Sequence, residues 1–211
     1  MSVDTRQEKL DAVFGGVTKS ARCAERMRRT LEEVLELAVE IAREGREGRK
    51  IGTLFVVGDI EATMQRSRPL LLDPLYGHPP ELLDVRRPEF RETVKELAQL
   101  DGAFLVDRDG TFVSAARYID VGTETPLLPG LGTRHAAGAS ISATTNAIAI
   151  VVSQSSIVRV FADGEVRAEI IPELFLLSGQ QLFTPRAAVS RLPDVGITVA
   201  VANGDEALSS G

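Results

Sequence analysis

The chain has 211 residues, 44% of them hydrophobic and 26% charged, a composition that suits a globular domain with one sizeable core. Its 24 basic and 30 acidic residues leave a net charge of -6, the wrong sign for a general nucleic-acid or anionic-membrane binder. The one cysteine, Cys23, excludes an internal disulfide, and two histidines, His78 and His135, exclude a multi-histidine zinc site.

Residues 1–18 read as an irregular or loosely helical lead-in. From Lys19 to Glu44 the residues Ala21, Ala24, Met27, Leu31, Val34, Ala38 and Ile41 recur three and four apart, which predicts an amphipathic helix. Gly45 to Lys50 ends that helix in a basic turn, read as a solvated loop. Ile51 to Val57 is a short apolar run that predicts a buried strand, and Gly58-Asp59 opens a turn. The four prolines between Ser67 and Pro80, with no periodicity, predict a structured loop. Pro88 suits the first turn of a second helix, Pro88 to Leu100, whose apolar face is Phe90, Val94, Leu97 and Ala98.

Two hairpins follow from Asp-Gly turns between apolar segments. One joins Gly102–Val106 to Thr111–Tyr118 through Asp109-Gly110, and the other joins Ile157–Phe161 to Val166–Ile171 through Asp163-Gly164. Between them lie a glycine- and proline-containing loop at 120–132, a helix of small residues from Thr133 to Thr145, and an apolar strand from Ala147 to Val152. After Pro172, Leu174 to Leu177 is apolar, Ile197 to Val201 suits one more strand, and the last eight residues read as disordered. The fold class expected is α/β, a central mixed, partly antiparallel β-sheet of about five to seven strands flanked by helices. No apolar run reaches the ~18–20 residues that cross a bilayer and the polar N-terminus lacks a signal-peptide core, so a cytoplasmic location is expected.

Two segments carry candidate chemistry. Asp101 falls between a helix and a buried strand, beside Gly102 and Ala103; the glycine permits close approach of a ligand, and the carboxylate can bind a metal or accept a proton. In Gly132-Thr133-Arg134-His135 a loop feeds a helix, with Thr133 as candidate N-cap. The N–H groups of a first helical turn attract anions, Arg134 adds a bidentate partner for phosphate oxygens, and His135 adds a donor or a metal ligand. The small residues that follow let the helix pack closely. A carboxylate at one end and a basic helix start at the other suit a nucleotide site for phosphoryl or nucleotidyl transfer, a chemistry of positioning and charge neutralisation.

The ordered set LFVVGD (54–59), SRPLLLDP (67–74), DGAFLVDRDG (101–110), GTRHAAGASISATTNAIAIVVSQS (132–155) and VRVFADGEV (158–166) resembles the diadenylate cyclase (DAC) domain family in its soluble archaeal-type form. The resemblance covers most of residues 19–175 and leaves 176–211 as an extension of unassigned role. It implies condensation of two ATP molecules into cyclic di-AMP with Mg²⁺ or Mn²⁺, in a homodimer or higher homo-oligomer whose active sites face each other, without membrane or nucleic-acid partners. It assigns Asp101, Arg134 and His135 to catalysis and Asp101 and His135 to the metal. Gly102, Ala103, Val121, Gly132, Thr133, Arg134, His135 and Ser153 are assigned to the nucleotide. The chain departs from the family's commoner Arg-His-Arg motif at Ala136, and carries Gln154 where many members have Glu. The Ala136 departure keeps a second expectation open: a non-catalytic adenine-nucleotide or cyclic-dinucleotide binding module on the same fold.

Overall fold

A computed structural model of the chain describes residues 21–122, 132–172, 188–192 and 197–201. A long helix α1 (Ala21–Glu44) leads into strand β1 (Thr53–Val57). A short helix α2 (Ile60–Gln65) and strand β2 (Ser67–Pro69) follow. Helix α3 (Pro88–Leu97) precedes the β3 (Ala103–Val106) and β4 (Phe112–Ile119) hairpin. Helix α4 (Thr133–Thr144) then gives way to β5 (Ile148–Val152), β6 (Val158–Ala162) and β7 (Glu165–Ile170). These strands form one seven-stranded sheet in the order β2-β4-β3-β1-β5-β6-β7. Only β1 and β3 run parallel; the other neighbours are antiparallel. The mixed α/β sheet expected from the sequence is therefore observed.

The sheet is buried on both faces because its central strands are apolar at every position but Thr53, a pattern that needs a helical layer on each side. Along β1, Phe55 and Val57 enter one core with Leu31, Val34, Ala38 and Ile41 of α1, while Leu54 and Val56 enter a second core with Ala139 and Ile141 of α4. The first core is organised by four phenylalanines: Phe55 stacks on Phe104 at 5.2 Å, and Phe112 stands edge-on to Phe55, Phe90 and Phe104. Lys95 of α3 is pinned to α1 through Glu40 at 3.0 Å and Glu44 at 3.3 Å. The second core is thinner and holds the site, because α4 is built of small residues that bring it close to the sheet. At Gly138 a Cβ would stand 2.8 Å from Val151 Cγ2 and 3.4 Å from Phe161.

Some elements differ from expectation. The segment after Gly58-Asp59, for which no element was expected, is a helix whose first backbone bond runs from Thr63 N–H to the Asp59 carbonyl at 3.0 Å. The expected loop from Ser67 contains β2, which forms because β4 offers a free edge some fifty residues away (Ser67 pairs with Ile119). Local sequence does not encode that partner. A separate hairpin pairs β8 (Ala188–Leu192) with β9 (Ile197–Val201); β9 was expected and β8 was not. The readings of residues 1–18, Leu174–Leu177 and the last eight residues lie outside the described residues, as does most of the 120–132 loop.

Replacing Gly138 by Val should lower stability by about 1–3 kcal/mol through overpacking of α4 against β5, reversing the usual gain from removing a helical glycine. Chemical denaturation checks it, and a variant at least as stable as the parent would contradict this packing.

Candidate functional site

A cavity of about 590 Å³ opens where β1 and β3 begin, β4 ends and α4 starts. Asp101, Gly102 and Ala103 line it from the β3 side, Val121 from the chain leaving β4, and Gly132, Thr133 and Arg134 from the start of α4. Seven of the nucleotide and catalytic candidates named from sequence thus share one cavity. Its remaining walls were not foreseen: Leu54, Leu70, Arg117, Tyr118, Ile119, Ala136 and Ala137.

Arg134 and Asp101 meet directly. Arg134 Nη2 donates to Asp101 Oδ1 at 2.9 Å, with the carboxylate side chain 79% exposed and the arginine 32%. The arginine can lie flat here because Gly52 has no side chain; a Cβ there would stand 3.2 Å from Arg134 Nη1. Its Nε is buried without a hydrogen-bond partner among the described residues. The helix N-cap is Gly132, in extended conformation (φ -76°, ψ -179°) and without a side-chain cap. Thr133 is therefore the first helical residue and not the cap, because Gly132 already supplies the carbonyl that accepts from His135 and Ala136 N–H. With no side chain bridging the first turn, the helix start keeps donors for an anion.

Gly102 plays a different part from the one expected. Its φ is +107°, and a Cβ would stand 2.6 Å from the Ala116 carbonyl carbon and 2.7 Å from Arg117 N. The space a side chain would fill is thus taken by the backbone of β4 rather than kept for a ligand, and the glycine permits close approach of two strands.

Two candidates do not reach the cavity. His135 is 6% exposed and packs edge-on to Phe161 beneath α4. Its Nε2 lies 2.9 Å from Arg159 Nη1, and Arg159 Nε in turn donates to Glu169 Oε2 at 2.7 Å. Arginine only donates, so Nε2 accepts and the ring proton sits on Nδ1. Its Nε2 lone pair is engaged by Arg159, and through Arg159 and Glu169 His135 anchors α4 to β6 and β7. Burial, followed by the charges of Arg159 and Arg134, pushes its imidazole down to about 4. Ser153 closes the β5–β6 turn: its Oγ accepts from Ile157 N–H at 3.1 Å and pairs with Ser155 Oγ at 2.8 Å.

Residues 40–166 match the family model described as DAC, DisA bacterial checkpoint controller nucleotide-binding. The chain belongs to the DAC family. A diadenylate cyclase of Methanocaldococcus jannaschii is 47% identical to it over 154 residues, 72% of this chain and 49% of that protein. A diadenylate cyclase of Haloferax volcanii is 40% identical over 148 residues, 69% of this chain and 54% of that protein. The chain thus spans about half the length of the curated relatives it matches. A crystal structure described as a hypothetical membrane spanning protein from Bacillus cereus superposes with a TM-score of 0.50 at 20% identity over 66% of each chain, a likeness of fold. In this DAC-family chain, no helix among the described residues is long and apolar enough to cross a membrane.

The His135 anchor makes the fold acid-sensitive. A folded-state pKa of about 4 against 6.5 means that below about pH 6.5 the unfolded chain takes up a proton that the fold refuses. Stability should therefore fall as pH drops from about 6.5 towards 4, by up to about 3 kcal/mol, and His135→Gln should flatten that slope. Urea titrations across this range check it; an unchanged slope in His135→Gln would contradict a neutral, buried imidazole.

Proposed function

We propose that the chain is a diadenylate cyclase, condensing two ATP molecules into cyclic di-AMP and two pyrophosphates. The observation that carries the reading is the convergence of Asp101 and Arg134, 2.9 Å apart, on one cavity beside an open helix start. The identity to two proteins named diadenylate cyclase supports it.

In each half-reaction the ribose 3′-oxygen of one ATP forms a bond to the α-phosphorus of the other. The α–β phosphoanhydride bond breaks, the 3′-hydroxyl loses its proton, and pyrophosphate leaves. Arg134 and the backbone N–H groups of Thr133 and its neighbours hold the triphosphate and offset the charge that grows on the leaving group. Asp101, released from Arg134 when phosphates take that cation, faces the nucleophile and favours loss of its proton. Ala103 and Val121 wall the nucleoside, and Gly132 leaves the helix start accessible. His135 fixes the tilt of α4 and so the aim of Arg134. Ser153 stands one residue from Gln154, whose Cγ lies near Gly52 beneath Arg134, and its hydroxyl would have to leave its turn partners to meet a phosphate.

Mg²⁺ or Mn²⁺ fits this donor set in one way. Among the described residues no group of three or more His, Cys, Asp or Glu could hold a metal by itself, and Asp101 is the carboxylate at the cavity. Such a hard cation takes few protein oxygens and the rest from waters and substrate phosphates. When bound, the ion supplies charge neutralisation at the phosphates and acidifies the hydroxyl. A cavity that lodges one nucleotide leaves the second to a facing copy, so the active form is a homodimer or higher homo-oligomer, which supplies proximity without a covalent intermediate.

Incubation with ATP and Mn²⁺ should yield cyclic di-AMP by chromatography, in an amount per subunit that falls on dilution. Binding of ATP without product would favour the non-catalytic module instead. Asp101→Asn should abolish product while ATP still binds; undiminished product would reject its role. Arg134→Ala should weaken ATP by about 1–3 kcal/mol, roughly 10- to 100-fold, and unaltered affinity in a calorimetric titration would reject the phosphate contact.

A further inference from the structure

Arg117 is a buried cation of this cavity that neither the catalytic reading nor the sequence motifs use. It is 8% exposed, lines the cavity, and forms no ion pair with a carboxylate among the described residues. Burying an unpaired guanidinium is costly, so a position that does so needs a compensating partner. Part of the compensation is internal. Arg117 Nε donates to Ser67 Oγ at 2.9 Å and Nη2 donates to the Ser67 carbonyl at 2.8 Å, while Ser67 Oγ–H donates to the Thr63 carbonyl at 2.7 Å. These bonds lock the fork in place and leave Nη1 without a hydrogen bond to a described residue.

The fold has a specific device for turning this side chain inward. Ala103 pairs with Arg117, and Leu105 pairs with Ser114, so β4 carries one extra residue over this stretch. The extra residue centres on Ala116, whose φ of 53° lies in the left-handed region that alanine disfavours. Without that bulge Ala116 would oppose Ala103 and Arg117 would point to the other face. Bulges beside sites re-aim side chains in this way, and local strain is retained where function holds it.

We infer that Arg117 recognises the base of the bound nucleotide, donating Nη1–H to a hydrogen-bond acceptor on the purine edge. The inference rests on the reading of the cavity as an ATP site and names the end of the substrate that Arg117 takes. Arg117 reaches towards β2, whereas Arg134 lies over the starts of β3 and β1. In the order β2-β4-β3-β1 these guanidinium groups are two to three strand spacings apart, on the order of 10–14 Å, too far for one phosphoryl group to satisfy both. The residues that line the cavity around Arg117 suit a heterocycle rather than phosphates: Leu70, Tyr118, Ile119 and Val121. Arg68 lies 4.5 Å over the Tyr118 ring and braces it. A nucleotide whose triphosphate meets Arg134 and whose ribose passes Asp101 therefore brings its base to Arg117.

The test separates the two ends of the substrate with adenosine and inorganic tripolyphosphate as probes, titrated calorimetrically into the full chain. Arg117→Met should weaken adenosine about 10- to 100-fold and leave tripolyphosphate within about twofold, and Arg134→Ala should do the reverse. Ser67→Ala keeps the guanidinium but frees it, and should weaken adenosine by a smaller factor, about three- to fivefold, with tripolyphosphate unchanged; it decides the matter if Arg117→Met fails to fold. Adenosine affinity unchanged in both variants, or loss of tripolyphosphate in Arg117→Met, would overturn the assignment while leaving the ATP site intact. A parent chain that binds neither probe would overturn the ATP site and this assignment together.

Discussion

Arg134 and Asp101 face each other across the cavity mouth as a cation from the first turn of α4 and an anion from the turn before β3, 2.9 Å apart. Such a half-exposed pair is worth only about 0–1 kcal/mol, so it is a poor explanation for stability and a good one for readiness. Each partner sits on a different layer of the fold, and the contact exists only if α4 lies close to the sheet and β3 begins beside it. In the proposed reading a polyanion that takes Arg134 also frees the carboxylate, so binding of a triphosphate and exposure of the Asp101 carboxylate would be one event.

Close packing is what makes that meeting possible. Gly138 lets α4 down onto Val151, Gly52 leaves room for the Arg134 side chain, and Gly102 lets the turn after Asp101 press against the β4 backbone. Beneath α4 the His135–Arg159–Glu169 chain sets the helix's seating with polar contacts that are satisfied within the protein. On the opposite face, α1 and the phenylalanine cluster hold the sheet rigid, so the site stands on a scaffold rather than on loops alone. The left-handed Ala116 of β4 lies beside Gly102, the residue before β3, which places the strained alanine backbone next to a residue of the cavity.

Much of this was legible in the residues. Periodicity located α1 and α3, the run of small residues after a loop located α4, and the Asp-Gly turns located both hairpins, because those signals are local. Asp101 and the Gly132–Arg134 start could be paired as two ends of one site from their residue chemistry. Helix α2 and strand β2 were not legible, since β2 exists only through its pairing with β4. Arg117 was hidden for a related reason: simple alternation along β4 assigns it to the other face, and a bulge that depends on Gly102 reverses the assignment. The buried seat of His135 was not legible, because a histidine next to an arginine in a helix start suggests ligand binding. Its actual partner, Arg159, comes from a strand 24 residues later.

The most direct measurement is a crystal structure of the chain with a non-hydrolysable ATP analogue. The account predicts that the Arg134 guanidinium has left Asp101 for phosphate oxygens, that the carboxylate lies towards the ribose 3′-hydroxyl, and that a second copy presents its own site opposite. A nucleotide bound elsewhere, or bound in the cavity with the Arg134–Asp101 pair undisturbed, would contradict it.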